Sequence, residues 1–188
     1  LEMSVQQEFE KAYFYLSSGF AVLFVDGVSS FLALGIQGFE KRGVDEPNNE
    51  ANIKGAKECF TETLNDNKAL LHRRIKSPKL KLKQVTVGRQ AQTSVVVAYL
   101  DGYAQKKLVD EVERRIKNAP INVLQDYGEL VPFLDTKIKS NFTATGNTER
   151  PDVLCSKLLE GRVGVLVDGS PFAIYVPCLF TDSFSTVD

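Results

Sequence analysis

The sequence contains few of the residues that bind metals or carry out covalent chemistry. Its 188 residues include three cysteines and a single histidine, His72, and no Cys-x-x-Cys motif. Widely spaced, unpaired cysteines are typical of small buried side chains in a reducing compartment. Cys59 and His72 fall on one predicted helix, about 20 Å apart along its axis, so one zinc ion cannot bind both. Because no nucleophile lies near His72 in sequence, we expect no enzymatic activity. We also expect no bound metal and no other cofactor.

A secretory signal, a long apolar run and an excess of one charge are also missing. Residues 20–36 hold one charge, Asp26, but the Asp-Gly pair at their centre predicts a hairpin turn between two strands and not a membrane span. The 23 basic and 24 acidic residues give a net charge of −1, so overall charge indicates no polyanionic partner. No phosphate-loop, dinucleotide-binding, kinase or metalloprotease motif is present. With 43% hydrophobic residues, the chain is long enough for one domain or two small ones.

The spacing of apolar residues predicts a chain in which helices and strands alternate. Helices are predicted over residues 5–16, 57–76, 108–116, 130–138 and 151–160. Strands are predicted over residues 20–25, 31–36, 80–87, 94–100, 121–124, 163–167 and 172–176. The second helix ends before Pro78, because the residue before a proline disfavours the α region. The polar composition of residues 38–55 predicts a long surface loop.

The end of the sequence repeats its beginning. The pattern Leu-x-x-Gly-x-x-x-Leu-x-Val-Asp-Gly of residues 16–27 recurs, with valine for the second leucine, at residues 158–169, a constant offset of 142. Phe31 then matches Phe172 with one residue deleted. Both Asp-Gly pairs are typical of tight turns rather than of metal-binding or basic carboxylates. We therefore predict an α/β fold of two small α/β subdomains, residues 1–76 and 77–188, with short mixed sheets flanked by helices and related by an internal repeat.

One segment of the chain is strongly basic. Between positions 73 and 89 it carries no acidic residue and seven basic ones: Arg73, Arg74, Lys76, Lys79, Lys81, Lys83 and Arg89. Alternation with leucines puts its three strand lysines on one face, beside the helix end that carries the first two arginines. Such a face suits phosphates, nucleic acid or an anionic membrane. It equally suits a solvated edge strand that lysines protect from aggregation.

A second group of candidate residues surrounds the predicted helix over residues 57–76. Asn67 lies on the apolar stripe of that helix. A buried asparagine usually satisfies a neighbouring backbone group, but it can also bind a ligand. We take Asn67, Arg73, Arg74 and Arg89 as the candidate ligand-binding residues.

Several motifs resemble the A subunits of the GerA-type spore germinant receptors. The C-terminal ones are Thr-Glu-Arg-Pro-Asp at 148–152, Leu-Leu-Glu-Gly-Arg at 158–162, Val-Asp-Gly at 167–169, Pro-Phe at 171–172 and Val-Pro at 176–177. Segments within residues 60–102 are similar in type and order, so the resemblance covers nearly the whole chain. The sequence departs from the family pattern at Ala56, Cys59 and His72, where a proline, a small residue and a third arginine are expected.

The resemblance implies a non-enzymatic N-terminal domain that faces the cytoplasm, with membrane helices after Asp188. Such receptors lie in the inner membrane of dormant spores, work with B and C subunits, and start germination in response to nutrients such as amino acids and sugars. The face formed by Lys79, Lys81 and Lys83 would then lie near anionic lipid or contact the partner subunits. The resemblance leaves open whether the cleft between the two subdomains binds a nutrient.

Two other functions remain open from the residues alone. One is a stand-alone small-molecule-binding α/β module that uses Asn67, Arg89 and the cleft between the subdomains. The other is a nucleic-acid-binding domain that uses the three strand lysines. It is disfavoured because no aromatic residues alternate with those lysines, and we expect no nucleic acid among the partners.

Overall fold

The computed structural model describes residues 3–35, 58–135 and 144–179. The first of these parts contains β1 (Met3–Gln6), α1 (Lys11–Ser17), β2 (Phe20–Phe24) and β3 (Phe31–Gly35). Its strands form an antiparallel sheet in the order β1-β3-β2. Helix α1 packs on one face of this sheet, where Ala12, Phe31 and Ala33 are buried. The first 35 residues therefore build a small core of their own.

Residues 58–179 form a larger unit around a five-stranded antiparallel sheet. Its elements are α2 (Leu64–Arg74), β4 (Leu80–Val87), β5 (Thr93–Leu100), α3 (Lys106–Lys117), a 3-10 turn (Tyr127–Glu129), α4 (Val131–Leu134), β6 (Gly146–Thr148), α5 (Pro151–Leu159), β7 (Val163–Val167) and β8 (Ala173–Val176). The strands lie in the order β4-β5-β7-β8-β6, so β4 and β6 are the edges of the sheet.

Helices cover both faces of the five-stranded sheet. On one face, Leu71 of α2 and Leu158 of α5 are fully buried. On the other face, Val109 and Ile116 of α3 are buried together with Leu134 of α4. Strand β7 lies at the centre of the sheet, and all five of its residues are buried. The larger unit is therefore a sheet between two helical layers, with a hydrophobic core on each side.

The predicted repeat is present, and it extends further than the sequence pattern. The units β1-α1-β2-β3 and β6-α5-β7-β8 have the same element order and the same antiparallel pairings at an offset of 142. Val5 pairs with Leu32 in the first unit, and their counterparts Asn147 and Ile174 pair in the second. Both halves of the chain are thus copies of one β-α-β-β unit, and the second copy is enlarged by α2, β4, β5, α3 and α4.

The strand register corrects one detail of the predicted repeat. Phe24 pairs with Phe31, and the residues 142 positions later, Leu166 and Ala173, also pair with each other. The offset therefore holds through β3 without a deletion. Phe31 corresponds to Ala173 and not to Phe172.

The predicted fold class, two α/β subdomains with helices flanking short sheets, is confirmed, but both sheets are antiparallel rather than mixed. The first predicted helix is wrong over its first half, because Val5 belongs to β1 and the helix begins at Lys11. Val5 and Phe9 have the i, i+4 spacing of a helix, but pairing with β3 satisfies the backbone of β1.

The predicted helix over residues 57–76 also starts too early. Thr61 donates its N–H to Asn67 Oδ1 at 2.8 Å, and Asn67 Nδ2 donates to the Thr61 carbonyl oxygen at 2.6 Å. This reciprocal pair holds the chain in a turn ahead of Leu64, where α2 begins. Cys59 therefore precedes the helix that carries His72, and the helical separation assumed between these two residues is wrong.

Two further sequence predictions fail in the larger unit. The predicted strand over residues 121–124 is an irregular segment, in which the Asn122 carbonyl oxygen accepts the N–H of Gln90 at 3.0 Å and the Leu124 carbonyl oxygen accepts the Thr93 hydroxyl at 2.9 Å. The helix predicted over 130–138 is the single turn α4, and the residues after 135 lie outside the described part. Strand β6 was not predicted, and the loop predicted over 38–55 also lies outside the described residues.

The contacts of α2 bear on the boundary between the subdomains. The sequence division at residue 76 assigns α2 to the first subdomain, and that division stays a prediction. Leu71 and Ile75 pack with Leu80 in the core of the five-stranded sheet. We propose, from these contacts, a boundary between Gly35 and Glu58.

Gly161, which follows α5, is a position where the fold cannot accept a side chain. Its φ is +84°, and a Cβ atom there would lie 2.6 Å from the Tyr103 carbonyl oxygen. Gly102 has a similar φ of +80° but nothing within 4 Å of the Cβ position. We expect Gly161→Ala to lower the free energy of unfolding by about 3 kcal/mol through strain and overpacking, and Gly102→Ala by about 1 kcal/mol through strain alone. Urea unfolding measures both variants, and equal losses would contradict this account.

Candidate functional site

An open cleft lies at one end of the five-stranded sheet, beside the beginning of α2. It has a volume of about 460 Å³. It is lined by Glu62, Thr63, Ala91, Gln92, Thr93, Ser94, Leu124, Asp168 and Gly169. These residues come from the segment before α2, the β4–β5 turn with the start of β5, the irregular segment after α3, and the turn after β7. The cleft therefore forms where four connections and the start of β5 meet.

The Asp168-Gly169 turn holds one wall of this cleft in place. Leu64 donates its N–H to Asp168 Oδ1 at 3.2 Å, which satisfies a backbone group in the first turn of α2. The N–H of Gly169 donates to the Glu62 carbonyl oxygen at 2.8 Å. The N–H of Asp168 donates to the Ser94 carbonyl oxygen at 3.0 Å. The turn predicted for this Asp-Gly pair is present, and its carboxylate ties α2 to the sheet.

The chemistry of the cleft is polar and acidic. Its side chains include the carboxylates of Glu62 and Asp168, three hydroxyl groups and the amide of Gln92, with no lysine or arginine among the lining residues. Carboxylates attract cations, and hydroxyl and amide groups bond to polar ligands in either direction. The cleft is thus suited to a small polar molecule that carries an ammonium or several hydroxyl groups.

The sequence-predicted ligand residues do not line this cleft. Asn67 is fully buried, and its amide oxygen and nitrogen both bond to Thr61. Arg89 is exposed in the β4–β5 turn and has no ion pair within the described ranges. A ligand role for these residues stays a prediction. The sequence analysis predicts a turn, and no binding role, for Asp168, and it gives no signal for a role of Glu62.

Arg73 and Arg74, at the end of α2, both form ion pairs with one carboxylate, and a ligand role for them stays a prediction. Both guanidinium groups contact the carboxylate of Glu58, that of Arg74 at 2.8 Å. Burial would raise the pKa of the nearby Asp152, but the hydrogen bonds and charge of Arg150 outweigh it and the pKa is lowered. The end of α2 and the beginning of α5 therefore carry a network of ion pairs in which three arginines share two carboxylates.

The thiol of Cys155, which lies near Arg74 and Asp152, is buried. Burial raises the pKa of Cys155 to about 11. Cys155 therefore stays a protonated, inert thiol near neutral pH.

The basic strand face is present in part. Strand β4 is an edge of the sheet, and Lys81 and Lys83 project from the face that carries α3, whereas Arg73 and Arg74 belong to the layer on the opposite face. The predicted lysines and arginines therefore do not form one continuous surface. Lys79 lies just before β4.

The three lysines also differ in their partners. Lys83 Nζ lies 2.7 Å from Glu113 of α3, and this hydrogen bond raises the pKa of Lys83. Lys79 Nζ lies 5.4 Å from the centre of the Tyr103 ring. Lys81 is exposed and has no ion pair with any described residue. The cation available on this face is thus mainly that of Lys81, with Lys79 beside it.

A smaller cavity of about 220 Å³ lies under the same strand. It is lined by Lys83, Tyr99, Asp101, Ala104, Lys106, Val109 and Asp110. Its two lysines and two aspartates balance each other in charge.

Within the described residues, no helix is both long and apolar enough to cross a bilayer.

Asp168 and its repeat counterpart Asp26 allow a matched test of the turn that supports the cleft. We expect Asp168→Ala to lower the free energy of unfolding by about 1 kcal/mol, because the first turn of α2 loses its side-chain acceptor. Asp26 is exposed, and Asp26→Ala should change the free energy by less than about 0.5 kcal/mol. Thermal and urea unfolding measure both variants. A loss at Asp26 equal to that at Asp168 would contradict the proposed support.

Comparison with known proteins relates the chain to spore germination proteins. The family model described as Bacillus/Clostridium GerA spore germination protein matches residues 1–188. Spore germination protein B1 of Bacillus subtilis (strain 168) is 37% identical over 99% of this chain and 38% of that protein. The uncharacterized membrane protein YfkQ of the same organism is 36% identical over 95% of this chain and 35% of that protein. The chain thus spans little more than a third of the length of these curated relatives.

A solved structure supports the same relationship. The crystal structure of the N-terminal domain of the A subunit of the Bacillus megaterium spore germinant receptor GerK3 matches with a TM-score of 0.66 and 31% identity. The match covers 95% of this chain and 64% of that chain. With the family match over the whole chain and relatives above 30% identity, the chain belongs to the GerA family of spore germination proteins.

Proposed function

We propose that this chain is the cytoplasm-facing domain of the A subunit of a nutrient germinant receptor, and that it takes part in the germinant sensing or signal transmission that starts spore germination. The proposal is carried by the match of residues 1–188 to the GerA family and by the match of 95% of the chain, in fold, to the N-terminal domain of such an A subunit. The role is non-enzymatic.

The cleft beside α2 is the place where we propose that a small germinant binds. Glu62 and Asp168 supply negative charge for an ammonium group, and the hydroxyl of Ser94 donates to a carboxylate or a sugar. The Thr93 hydroxyl already donates to the Leu124 carbonyl oxygen, so its oxygen serves as an acceptor for a ligand. The cleft is bounded by the segment that precedes α2. A ligand bound there would contact both this segment and the start of β5.

The proposed location is the inner membrane of the spore, with the B and C subunits of the receptor as partners. The strand face of Lys79, Lys81 and Lys83 supports contact with an anionic lipid surface or with a partner subunit. Lysines near an anionic membrane contribute about 1 kcal/mol each. Because Lys83 is paired with Glu113, Lys79 and Lys81 carry most of this contact. The same pairing weakens the case for nucleic acid.

A nutrient titration tests the sensing part of the proposal. The 15N-labelled chain is titrated with a panel of amino acids, sugars and nucleosides at fixed salt, and amide chemical shifts are followed by NMR. We expect saturable shifts at Thr93, Ser94 and Gly169 with at least one nutrient that carries an ammonium group. Glu62→Gln should weaken that binding about tenfold, which corresponds to loss of a charge-assisted hydrogen bond. Glu10→Gln, an exposed glutamate of the first repeat, should leave it unchanged.

The absence of shifts with every nutrient, in a chain shown to be folded, would contradict sensing by this domain. It would leave signal transmission and assembly as its role.

Vesicle binding tests the lysine face. We expect Lys81→Ala to weaken binding to vesicles that contain phosphatidylserine about fivefold at low salt, because one exposed cation near the surface is lost. Lys68→Ala removes the same charge from α2, on the opposite layer, and should have little effect. Sedimentation with vesicles measures both. Equal losses for the two variants, or no binding by the unmodified chain, would contradict lipid contact through this face.

A further inference from the structure

One face of the three-stranded sheet is apolar and, among the described residues, has no helix over it. Cross-strand pairing places six residues on this open face: Met3, Val5, Ala21, Leu23, Leu32 and Leu34. Helix α1 packs against the opposite face, which carries Phe31 and Ala33. On the open face, Met3 is 66%, Val5 67% and Leu23 50% exposed. A cluster of exposed apolar side chains of this kind marks a surface that binds another molecule.

The internal repeat shows what covers the equivalent face in the second half of the chain. The counterparts of the open-face residues of β2 and β3 are Val163, Val165, Ile174 and Val176. All four are buried. They lie in one hydrophobic cluster with Val109, Val112 and Ile116 of α3. An amphipathic helix thus covers in the second repeat the face that is open in the first.

The open face is also wider than the covered one. Met3 and Val5 of β1 correspond to the polar residues Thr145 and Asn147, and Asn147 is exposed at the sheet edge. An apolar residue at each of these positions extends the open face over all three strands. The molecule that covers it therefore reaches across β1 as well.

Charge distinguishes between possible occupants. Residues 3–35 carry three acidic residues, Glu8, Glu10 and Asp26, against one lysine, Lys11, and have a net charge of −2. The six open-face residues themselves are uncharged. Lys11 pairs with Glu8, so the net charge of the unit rests on Glu10, just before α1, and on Asp26, in the β2–β3 turn. The charge of the unit disfavours a second copy of it and the anionic leaflet of a membrane. Helix α3 carries five basic and three acidic residues, a net charge of +2. An amphipathic helix matches the face in apolarity, and a net-basic one also complements the negative charge of the unit that carries the face.

We propose that the open face of the first repeat is a docking site for a net-basic amphipathic helix of another polypeptide, which lies across this sheet as α3 lies across the equivalent sheet. Recognition is then of the helix-in-groove type, with apolar residues at i, i+3 or i+4, and i+7 as anchors. Val109, Val112 and Ile116 show this spacing in α3.

A helical peptide of known sequence serves as the probe. The peptide carries residues 105–119 of this chain, with a covalent staple that replaces the solvent-facing Asp110 and Arg114 so that the short helix is populated. It is titrated into the 15N-labelled chain. We expect saturable shifts of amides in β1, β2 and β3. A peptide with V109D and V112D lacks the apolar stripe and should produce none.

Two leucines of similar exposure provide matched variants of the chain. Leu23 is 50% exposed on the open face, and Leu159 is 55% exposed at the end of α5. Leu23→Glu should weaken peptide binding at least tenfold, and Leu159→Glu should leave it unchanged. Both should leave the urea midpoint of the free chain close to that of the unmodified protein, because both side chains already face water.

The following results would overturn the proposal. One is the absence of shifts at millimolar peptide, or shifts confined to β5, β7 and β8, where the peptide would compete with α3. A second is a set of shifts in β1 to β3 that grow with protein concentration alone, which would identify a second copy as the occupant. A third is binding to phosphatidylcholine vesicles that is as strong as binding to the peptide and that Leu23→Glu abolishes, which would identify a lipid surface as the occupant. A large drop in the urea midpoint for Leu23→Glu would show that the chain covers the face itself.

Discussion

Burial of strand β7 on both of its faces is the constraint on which the larger unit depends. Val163, Val165 and Val167 face α3, while Gly164 and Leu166 face α5. A Cβ atom at Gly164 would lie 3.0 Å from Leu154 Cδ1, so the glycine lets α5 approach the strand closely. Burial of each valine side chain contributes about 2 kcal/mol to the free energy of unfolding. The two helical layers both pack on this one strand. The turn after β7 then fixes α2 through Asp168, and the candidate cleft forms there.

In the part of the chain that the structure describes, the first repeat has a single helix on its sheet and a much smaller core. Leu16 of α1 is 52% exposed, whereas its counterpart Leu158 is fully buried. Among the described residues, strand β2 pairs with β3 alone, whereas its counterpart β7 pairs with both β8 and β5. A three-stranded sheet with one helix buries little apolar area, so its free energy of unfolding is small without a further layer. The same β-α-β-β unit thus serves as a core in one half and as an open surface in the other.

Much of this arrangement could be predicted from the sequence, and the failures have physical causes. The hairpins β2–β3, β4–β5 and β7–β8 follow from apolar runs divided by turn residues, and α3 follows from its amphipathic spacing. The spacing of Val5 and Phe9 predicts a helix, but Val5 pairs with Leu32 and therefore belongs to a strand. The start of α2 depends on the bond between Thr61 and Asn67, and no spacing rule contains such a contact.

The candidate site was harder to predict than the fold. Glu62 and Asp168 are 106 positions apart and meet only because α2 docks at the end of β7. The basic residues were visible in the sequence, but their partners were not. Glu58 pairs with the arginines and Glu113 with Lys83, and both lie outside the basic segment.

The central claim is that two copies of one unit differ in the layers that cover them, and native-state hydrogen exchange tests it most directly. If the account is correct, amides of β5 and β7 in the free chain exchange only through global unfolding. Those of the β2–β3 ladder exchange through a local opening of much lower free energy. Equal protection of the two ladders, with one common denaturant dependence, would contradict the claim, because the first repeat would then be covered as fully as the second.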